Sequence, residues 1–423
     1  MSQPPMRAYR LDRPLTFDIS GAAFKEDPLP TFAAMREAGP VIPIRLPFVG
    51  RAWVTTTHEA TLAMVKDNAL FVQEGRHAGR SGVAGFGWWM PKPLKLLTNN
   101  MLQKDEPDHR RLRKLVDRAF ARRDVLAMRG DIERIADHLL DGIEGRAEAD
   151  LVTEYARRLP LEVISMLLGV PDEEAQRFAD LTRRALSVGN MAGLFLAVGS
   201  FGKLIDFVRA LIEQSRRAPR PGLVADLVQA EEAGDRLDEG ELLSMIVLLL
   251  IAGFETTSHL IADSVAMLER HPDQKAWLTA DPAARMERAV EELARFASPV
   301  QSTKPRYVAR DAAFFGQSLR RGELILALVA AANADPAVFD HPEELRLDRF
   351  PNPHLVFSSG IHFCLGMQLA RVEAQSAIGR LYARFPGIAL ADPERIVWIE
   401  RLGLRGPKTL PVRLRAGGER LAA

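Results

Sequence analysis

The sequence predicts a chain that is mainly α-helical, with a smaller number of short β-strands. Helical periodicity dominates from position 124 to position 230. Further along, the run 242–254 is apolar on every face of a helix, which is typical of a helix at the centre of a protein. Short apolar runs bounded by turn residues predict strands at 41–46, 52–57, 307–309, 313–315 and 324–328.

The composition is that of an ordinary soluble globular protein. The 423 residues are 47% hydrophobic and 26% charged, with a net charge of +1, which favours neither nucleic acid nor an anionic membrane as a partner. Residues 1–20 carry prolines and charges where a signal peptide or anchor needs an apolar core. The apolar run 242–254 is shorter than the roughly 20 residues that span a bilayer. With a single cysteine, we expect a cytoplasmic protein without a membrane anchor.

In the first hundred residues, helices are predicted at 30–38 and 57–67, on either side of the first two strands. The following segment, 75–100, is both glycine-rich and apolar, and it contains Phe86, Trp88 and Trp89. Loops are normally polar, so this segment should cover something apolar, either the core or a ligand.

A strongly basic helix is predicted at 108–120. His109 and Arg113 are four residues apart and therefore share one face, where two donors would suit a carboxylate. A solvated charged face is the alternative, and it fits four further basic residues equally well: Arg110, Arg111, Lys114 and Arg118. A third hypothesis is that Arg110 and Arg111 dock an acidic electron-transfer protein.

Within the helical region, the segment 160–171 predicts a helix bounded by prolines and closed by glycine. The segment 186–207 mixes glycines with large apolar residues. Because each glycine weakens a helix by about 1 kcal/mol, this segment predicts a mobile apolar lid. A poorly formed surface helix without a ligand role is the alternative.

The long apolar helix begins with Asp238 as its N-cap and Glu241 three residues on, a variant of the capping box. Its middle contains Gly253, Glu255 and Thr256, which lower helix propensity and bury polar groups that need partners. A structural interpretation puts Thr256 in a hydrogen bond to its own helix and Glu255 in a salt bridge. Alternatively, a buried acid beside a hydroxyl can relay protons through water.

Cys364 is the only cysteine, so it is core filler, a nucleophile or a metal ligand. Gly360 and Gly366 flank it and give the backbone freedom to turn tightly or to approach a flat ligand, and a helix is predicted to begin near Met367. This arrangement suits axial thiolate ligation of haem iron, in which the thiolate favours cleavage of the oxygen–oxygen bond.

The cysteine loop resembles the haem-binding signature of the cytochrome P450 family, F-G-x-G-x-H-x-C-x-G, at five positions: Phe357, Gly360, His362, Cys364 and Gly366. Ser358 stands where the family most often has glycine. Other segments are similar to family motifs in the same order: 109–113 to H-x-x-x-R, 252–257 to A/G-G-x-D/E-T-T/S, and 292–295 to E-x-x-R, which a later arginine, Arg349, would join.

The resemblance implies one cytochrome P450 domain over residues 1–423, mainly α with a smaller β region, in which 1–20 is a loosely ordered extension. Haem b would lie between the long central helix and the loop of Cys364, its axial ligand. Propionate binding is implied for four side chains, His109, Arg113, Arg306 and His362, and further haem contacts for Gly253, Phe357 and Gly366.

The same resemblance assigns the remaining roles. Glu255 and Thr256 would supply protons, whereas Glu292, Arg295 and Arg349 would be structural. The substrate pocket would be lined by eight residues: Phe86, Trp88, Trp89, Leu248, Ala252, Val300, Gln301 and Leu402.

The implied reaction is insertion of one atom of dioxygen into an apolar small molecule, by hydroxylation or epoxidation. Electrons are expected from a separate ferredoxin or flavodoxin with its NAD(P)H-dependent reductase, because no flavin or iron–sulfur segment is fused here, and the protein is expected to be a monomer. A peroxide-driven peroxygenase on the same fold and a non-catalytic haem-binding protein are the alternatives. The sequence does not choose the substrate.

Overall fold

The computed structural model describes residues 11, 13–46, 50–81, 99–121, 124–186, 191–232 and 237–414. Within these ranges, the α-helices are α1 (Ala22–Glu26), α2 (Leu29–Ala38), α3 (His58–Lys66), α4 (Asp108–Ala121), α5 (Arg129–Asp141), α6 (Arg158–Leu168), α7 (Asp172–Leu186), α8 (Met191–Arg217), α9 (Leu223–Glu232), α10 (Glu239–Arg270), α11 (Pro272–Ala280), α12 (Pro282–Ala297), α13 (Val329–Asn333) and α14 (Met367–Arg384).

The strands are short and, except for β4, lie in the first and last thirds of the chain. They are β1 (Val41–Leu46), β2 (Gly50–Thr55), β3 (Phe71–Val72), β4 (Glu148–Asp150), β5 (Arg306–Val308), β6 (Ala312–Phe314), β7 (Gln317–Leu319), β8 (Leu324–Ala327), β9 (Ala389–Leu390), β10 (Val397–Trp398), β11 (Pro407–Thr409) and β12 (Pro411–Arg413). The prediction of a mainly α fold with a smaller β region is confirmed.

The central helix is α10, which is buried along both of its halves. The predicted capping box is present: Asp238 accepts from the Glu241 backbone, and the Glu241 side chain accepts from the Asp238 backbone. Arg111 of α4 also binds the Glu241 carboxylate, with Nη2 2.5 Å from Oε1. The helix ends before Pro272, which begins α11.

By length and composition, α10 is long enough and apolar enough to cross a membrane. However, 72% of its apolar stretch is buried inside the protein, as in the core helix of a globular domain. At 32 residues the helix is much longer than the apolar run from which it was predicted. The largest hydrophobic cluster surrounds it and takes side chains from α4 to α9, α12 and α14.

The principal sheet has five strands in the order β1-β2-β8-β5-β3. β2 and β8 pair in parallel, with Trp53 opposite Ile325, whereas the other neighbours are antiparallel. Two smaller hydrophobic clusters cover its two faces. A separate sheet joins β4, β12 and β9, so β4 is a strand inside the region predicted to be helical.

Two expectations are corrected by the packing. Leu15 pairs with Ile44 and Ile19 is buried, so residues 13–20 are not a loosely ordered extension. In the segment predicted to be a lid, α8 runs without interruption from Met191, and Phe201 and Leu204 belong to the core. Positions 187–190 and the side chains of 186–198 lie outside the described residues.

Candidate functional site

The cysteine loop is positioned by close contact with α3. Gly360 has a φ of 72°, and a Cβ at this position would lie only 2.7 Å from the Val65 carbonyl oxygen, so no larger residue fits. The Cys364 backbone N–H donates to the Phe357 carbonyl oxygen at 2.9 Å and closes the loop. The loop therefore presents the sulfur just before α14 begins.

Ser358, the departure from the family pattern, adopts a φ of 59°. This left-handed conformation costs a residue with a side chain roughly 1–2 kcal/mol, whereas glycine adopts it freely. The conformation explains why glycine is usual at this position, and it shows that the loop keeps its shape with serine.

Cys364 is half-buried, and burial raises the pKa of its thiol. The Gly366 backbone N–H, Arg113 and Arg371 oppose this effect, so the positive surroundings favour a thiolate once a metal replaces the proton. A Cβ at Gly366 would meet no atom within 4 Å, which leaves room for a flat group beside the sulfur.

A cluster of nitrogen-bearing side chains lies next to this loop and consists of His109 and Arg306, which are buried, and His362, which is half-buried. The two imidazole rings are 4.5 Å apart, and Arg306 is 3% exposed. Three of their buried nitrogens have no hydrogen-bond partner among the described residues: His109 Nδ1, His362 Nδ1 and Arg306 Nε. Arg113 is the fourth predicted propionate ligand, and its Nη1 donates to the Phe363 carbonyl oxygen at 2.6 Å.

An anion beside the cluster would offset the cost of burying its polar groups. Burial is the largest cause that lowers the pKa of His362 to about 2, followed by Arg306, His109, Arg113 and Lys304. Burial also lowers the pKa of His109, and it lowers that of Arg306 to about 10. Buried donors without acceptors are unfavourable, so the cluster fits an anionic group such as the propionates of haem.

In α10, Thr256 Oγ1 donates to the Ala252 carbonyl oxygen at 2.8 Å, and Glu255 accepts from Arg401. These are the two contacts that the structural interpretation requires. Ala252 is nevertheless exposed and Thr256 half-buried, in a helix whose flanking segments are buried. This face of α10 therefore borders a space that the described residues leave open, and a relay role for Glu255 and Thr256 stays a prediction.

Gly253 of α10 faces helix α6. A Cβ there would lie 3.7 Å from Ile164 Cδ1 of α6, an ordinary contact distance. Crowding therefore does not require glycine at this position, and its predicted contact with haem receives no support from the packing.

The predicted pocket residues divide into three groups. Leu248 and Ala252 lie one turn apart on α10, Val300 pairs with Leu404, and Leu402 is 36% exposed. Gln301 is buried, accepts from Lys25 Nζ and borders a separate cavity of about 200 Å³, so its assignment to the pocket is not supported. The remaining three, Phe86, Trp88 and Trp89, lie outside the described residues.

The acid and two arginines predicted to be structural form one buried network. Glu292 on α12 is 0% exposed and accepts from Arg295 Nε at 2.7 Å and from Arg349 Nε at 3.0 Å. Arg295 Nη2 also donates to Glu292 at 2.8 Å, and the remaining hydrogen bonds of the two guanidinium groups go to backbone carbonyl oxygens, including those of Asn333 and Asp340. The network ties α12 to the chain that leads into the cysteine loop.

The two arginines of α4 that were predicted to dock an electron-transfer protein both form ion pairs within this chain. Arg110 is exposed and lies 3.0 Å from Glu106, whereas Arg111 is engaged with Glu241. Arg111 is exposed as well, so both arginines can be reached by a partner protein, and the docking role stays a prediction.

Sequence reasoning missed the polar contacts around β10 and β11. Arg405 donates to Asp263 of α10 and to the Lys25 carbonyl oxygen, and Lys25 itself is 0% exposed. Together with Arg401, these residues link α1 and α10 to the end of the chain. No local pattern marks them, because each partner is more than 100 positions away.

Comparisons with known proteins agree with this geometry. The family model described as Cytochrome P450 matches residues 285–391. "Polyketide biosynthesis cytochrome P450 PksS" of Bacillus subtilis (strain 168) is 37% identical and covers 95% of this chain and 99% of its own length. The solved structure of PksS matches with a TM-score of 0.85 at 36% identity, covering 94% of this chain and 99% of that one.

Two other relatives bear on chemistry. "Mycinamicin IV hydroxylase/epoxidase" of Micromonospora griseorubida is 37% identical over 90% of this chain and 94% of its own length. The structure of the myxobacterial cytochrome P450 CYP267B1 in complex with myristic acid matches with a TM-score of 0.83 at 33% identity, covering 94% of this chain and 99% of that one.

Proposed function

The chain belongs to the cytochrome P450 family and is a P450 monooxygenase, and we propose that it hydroxylates or epoxidises an apolar small molecule. The observation that carries this proposal is the cluster of His109, His362 and Arg306 beside the Cys364 loop, whose unpartnered nitrogens fit the propionates of haem b. We further propose that residues 1–423 form one domain that functions as a monomer in the cytoplasm without a nucleic-acid partner.

Cys364 would hold the iron, and His109, Arg113, Arg306 and His362 would hold the propionates. Room for the flat ring is available beside Gly366, and Phe357 would flank it. Haem supplies the iron at which dioxygen is activated, and thiolate ligation favours cleavage of the oxygen–oxygen bond.

Glu255 and Thr256 are proposed to move protons into the site. Thr256 Oγ1 now donates to its own helix, and its oxygen remains available as an acceptor for a water molecule. Glu255 directly precedes Thr256 in the chain, and its side chain is 12% exposed. An acid and a hydroxyl in this order can pass a proton through water to an oxygen beside Ala252.

An apolar substrate is favoured by the predicted pocket residues Leu248, Ala252, Val300 and Leu402. The relatives named for a polyketide pathway and for mycinamicin IV, and the structure with myristic acid, support a polyketide-like or fatty-acyl molecule. Electrons would come from NAD(P)H through a reductase and a ferredoxin or flavodoxin, with Arg110 among the residues that contact this carrier.

The thiolate is tested by spectroscopy. The reduced, CO-bound protein is expected to show the red-shifted Soret band of thiolate ligation, and Cys364→Ser is expected to lose both this band and oxygenation. A wild-type protein without the band would refute the proposed site. Screening natural products and fatty acids for a shift of the iron spin state would then identify the substrate class.

A peroxide-driven peroxygenase is the second candidate. Thr256→Ala separates the two, because a proton relay matters only when dioxygen is reduced in the site. We expect this variant to release hydrogen peroxide in place of product with NAD(P)H as the reductant. Fully coupled turnover of Thr256→Ala with dioxygen would refute the relay role of Thr256. Product formation by the wild-type enzyme from hydrogen peroxide, with none from NAD(P)H and dioxygen, would favour the peroxygenase.

A further inference from the structure

The ion pair between Glu255 and Arg401 joins α10 to the C-terminal hairpin, which we define as residues 397–409 with strands β10 and β11. The Glu255 side chain is 12% exposed and that of Arg401 is 44% exposed. His259 Nε2 is 4.0 Å from Glu255 Oε1, but burial lowers the pKa of His259 to about 3, so this imidazole is neutral at neutral pH. Arg157 acts on Glu255 only at longer range. Arg401 is therefore the principal counter-charge of Glu255 among the described residues.

The base of the hairpin is held firmly against α10. Arg405 Nη1 donates to Asp263 at 3.2 Å, Arg405 Nε donates to the Lys25 carbonyl oxygen at 2.8 Å, and the guanidinium lies 4.0 Å from the centre of the Trp398 ring. A Cβ at Gly406 would lie 2.2 Å from His259 Nδ1, so the hairpin backbone touches the helix directly. These contacts hold both ends of the hairpin in place, at Trp398 and at Arg405 and Gly406.

The tip of the hairpin is held less tightly. Leu402 is 36% exposed, and the Leu404 N–H reaches the Arg401 carbonyl oxygen only at 3.4 Å. The Gly403 carbonyl oxygen accepts from the Gln301 N–H at 2.9 Å, and the Leu404 carbonyl oxygen accepts from Lys25 Nζ at 2.7 Å, so the looser part of the tip is Arg401 and Leu402. Leu402, a predicted substrate contact, is thus bonded directly to the residue that holds the acid.

We propose that Arg401 is a positioning residue that holds Glu255 against the C-terminal hairpin and so restrains proton delivery while the pocket beside Leu402 is empty. The inference rests on the proposed role of Glu255 as a proton donor. A substrate that moves Leu402 would move Arg401 with it, and a charge-assisted hydrogen bond weakens steeply once its atoms separate or tilt. Protons would then reach the site chiefly when there is a substrate to oxidise.

The first measurement uses the substrate-free holoenzyme and needs neither the substrate nor the redox partner; only the turnover of Glu255→Gln, used below, requires them. Reduced enzyme is mixed with air, and the rate of its reoxidation is followed by absorbance. Reoxidation transfers one electron to dioxygen, and protonation of the reduced oxygen speeds its departure. Arg401→Ala is expected to reoxidise about fivefold faster or more, and Arg401→Lys is expected to stay close to wild type because it keeps the charge.

The double variant Glu255→Gln with Arg401→Ala tests whether Arg401 acts through Glu255 or whether its loss simply disturbs the fold. If Arg401 acts through Glu255, this variant should return to the slow rate, because it has no carboxylate to release. The exposed Arg395, just before the hairpin, supplies the control Arg395→Ala, which should reoxidise like wild type. As a readout independent of reoxidation, hydrogen exchange at the Leu404 amide should be faster in Arg401→Ala and restored in Arg401→Lys.

Reoxidation of Arg401→Ala at the wild-type rate would overturn the inference. So would a fast rate that persists in the double variant, because that rate would reflect a disturbed fold. If Glu255→Gln turns over with full coupling, the proposed role of Glu255 fails. If Glu255→Gln uncouples turnover while Arg401→Ala reoxidises normally, only the positioning role fails.

Discussion

Replacing Arg306 by methionine is expected to stabilise the haem-free protein and to weaken its hold on haem. Arg306 is 3% exposed, its Nε has no partner among the described residues, and its Nη1 reaches Asn68 only at 3.4 Å. Burial lowers its pKa to about 10, and a shift of this size corresponds to about 3 kcal/mol. Because the folded pKa of this base is lowered, the penalty applies in full at every pH below about 10.

Methionine keeps most of the apolar stem and removes the buried charge. It also gives up the long contact with Asn68, which is worth at most about 1 kcal/mol. The free energy of unfolding of haem-free Arg306→Met should therefore rise by about 2 kcal/mol. Haem loss should become about tenfold faster or more, since a charged hydrogen bond to a propionate contributes about 1.5–3 kcal/mol.

Urea unfolding of the haem-free protein measures the first effect, and transfer of haem to a scavenging protein measures the second. Arg310→Met is the matched control, because Arg310 is exposed and comes from the same segment. It should change neither quantity. A haem-free Arg306→Met protein that is less stable than wild type, or one that loses haem at the wild-type rate, would refute the assignment of Arg306 to an anion.

Three further substitutions should change the stability of the protein. Ser358→Gly should raise the free energy of unfolding by roughly 0.5–1 kcal/mol, because relief of the left-handed conformation exceeds the entropy that glycine adds to the unfolded chain. Glu292→Gln should lower it by about 3–5 kcal/mol, because Arg295 and Arg349 would stay buried without their anion. Both are measured by urea unfolding. Finally, burial lowers the folded pKa of His259 to about 3, so only the unfolded chain binds this proton as the pH falls below about 6.5. His259→Gln should therefore lose about 1.4 kcal/mol less stability per pH unit than wild type over that range.

Matched variants keep these predictions specific. Ser359 precedes Gly360 in extended backbone, so Ser359→Gly should destabilise slightly where Ser358→Gly stabilises. Glu343 is exposed, and Glu343→Gln should have no measurable effect beside Glu292→Gln. Equal slopes of stability against pH for wild type and His259→Gln would contradict the burial argument.

Features that depend on local signals could be predicted from the sequence. The capping box of Asp238 and Glu241 lies within four residues. The helix that follows it is apolar on all faces, which predicts that it is buried. The helix predicted at 160–171 also ends as expected, at Gly169 in a left-handed conformation. In each case a short stretch of chain contains the physical cause.

Features that join distant segments could not be predicted. β4 is a strand of three residues because β12 pairs with it, and nothing within 148–150 distinguishes it from the helices on either side. The burial of Lys25 depends on Gln301 and Leu404, both more than 250 positions away. Likewise, Arg401 meets Glu255 only because Arg405 fixes the hairpin on α10. Contacts between distant segments decide the structure at these positions. From residue type alone, each of them could equally lie on a solvated surface.

The parallel pairing of β2 with β8 leaves part of the sheet unpaired while the chain is being synthesised. Trp53 lies opposite Ile325, so one edge of β2 has no partner until β8 has left the ribosome. At usual rates of translation this delay is on the order of 15 to 55 s. During that time the β1–β2 hairpin exposes an apolar strand edge, which is the feature that makes nascent chains associate. Chains truncated before residue 324 are therefore expected to aggregate, and the late arrival of one four-residue strand closes the sheet.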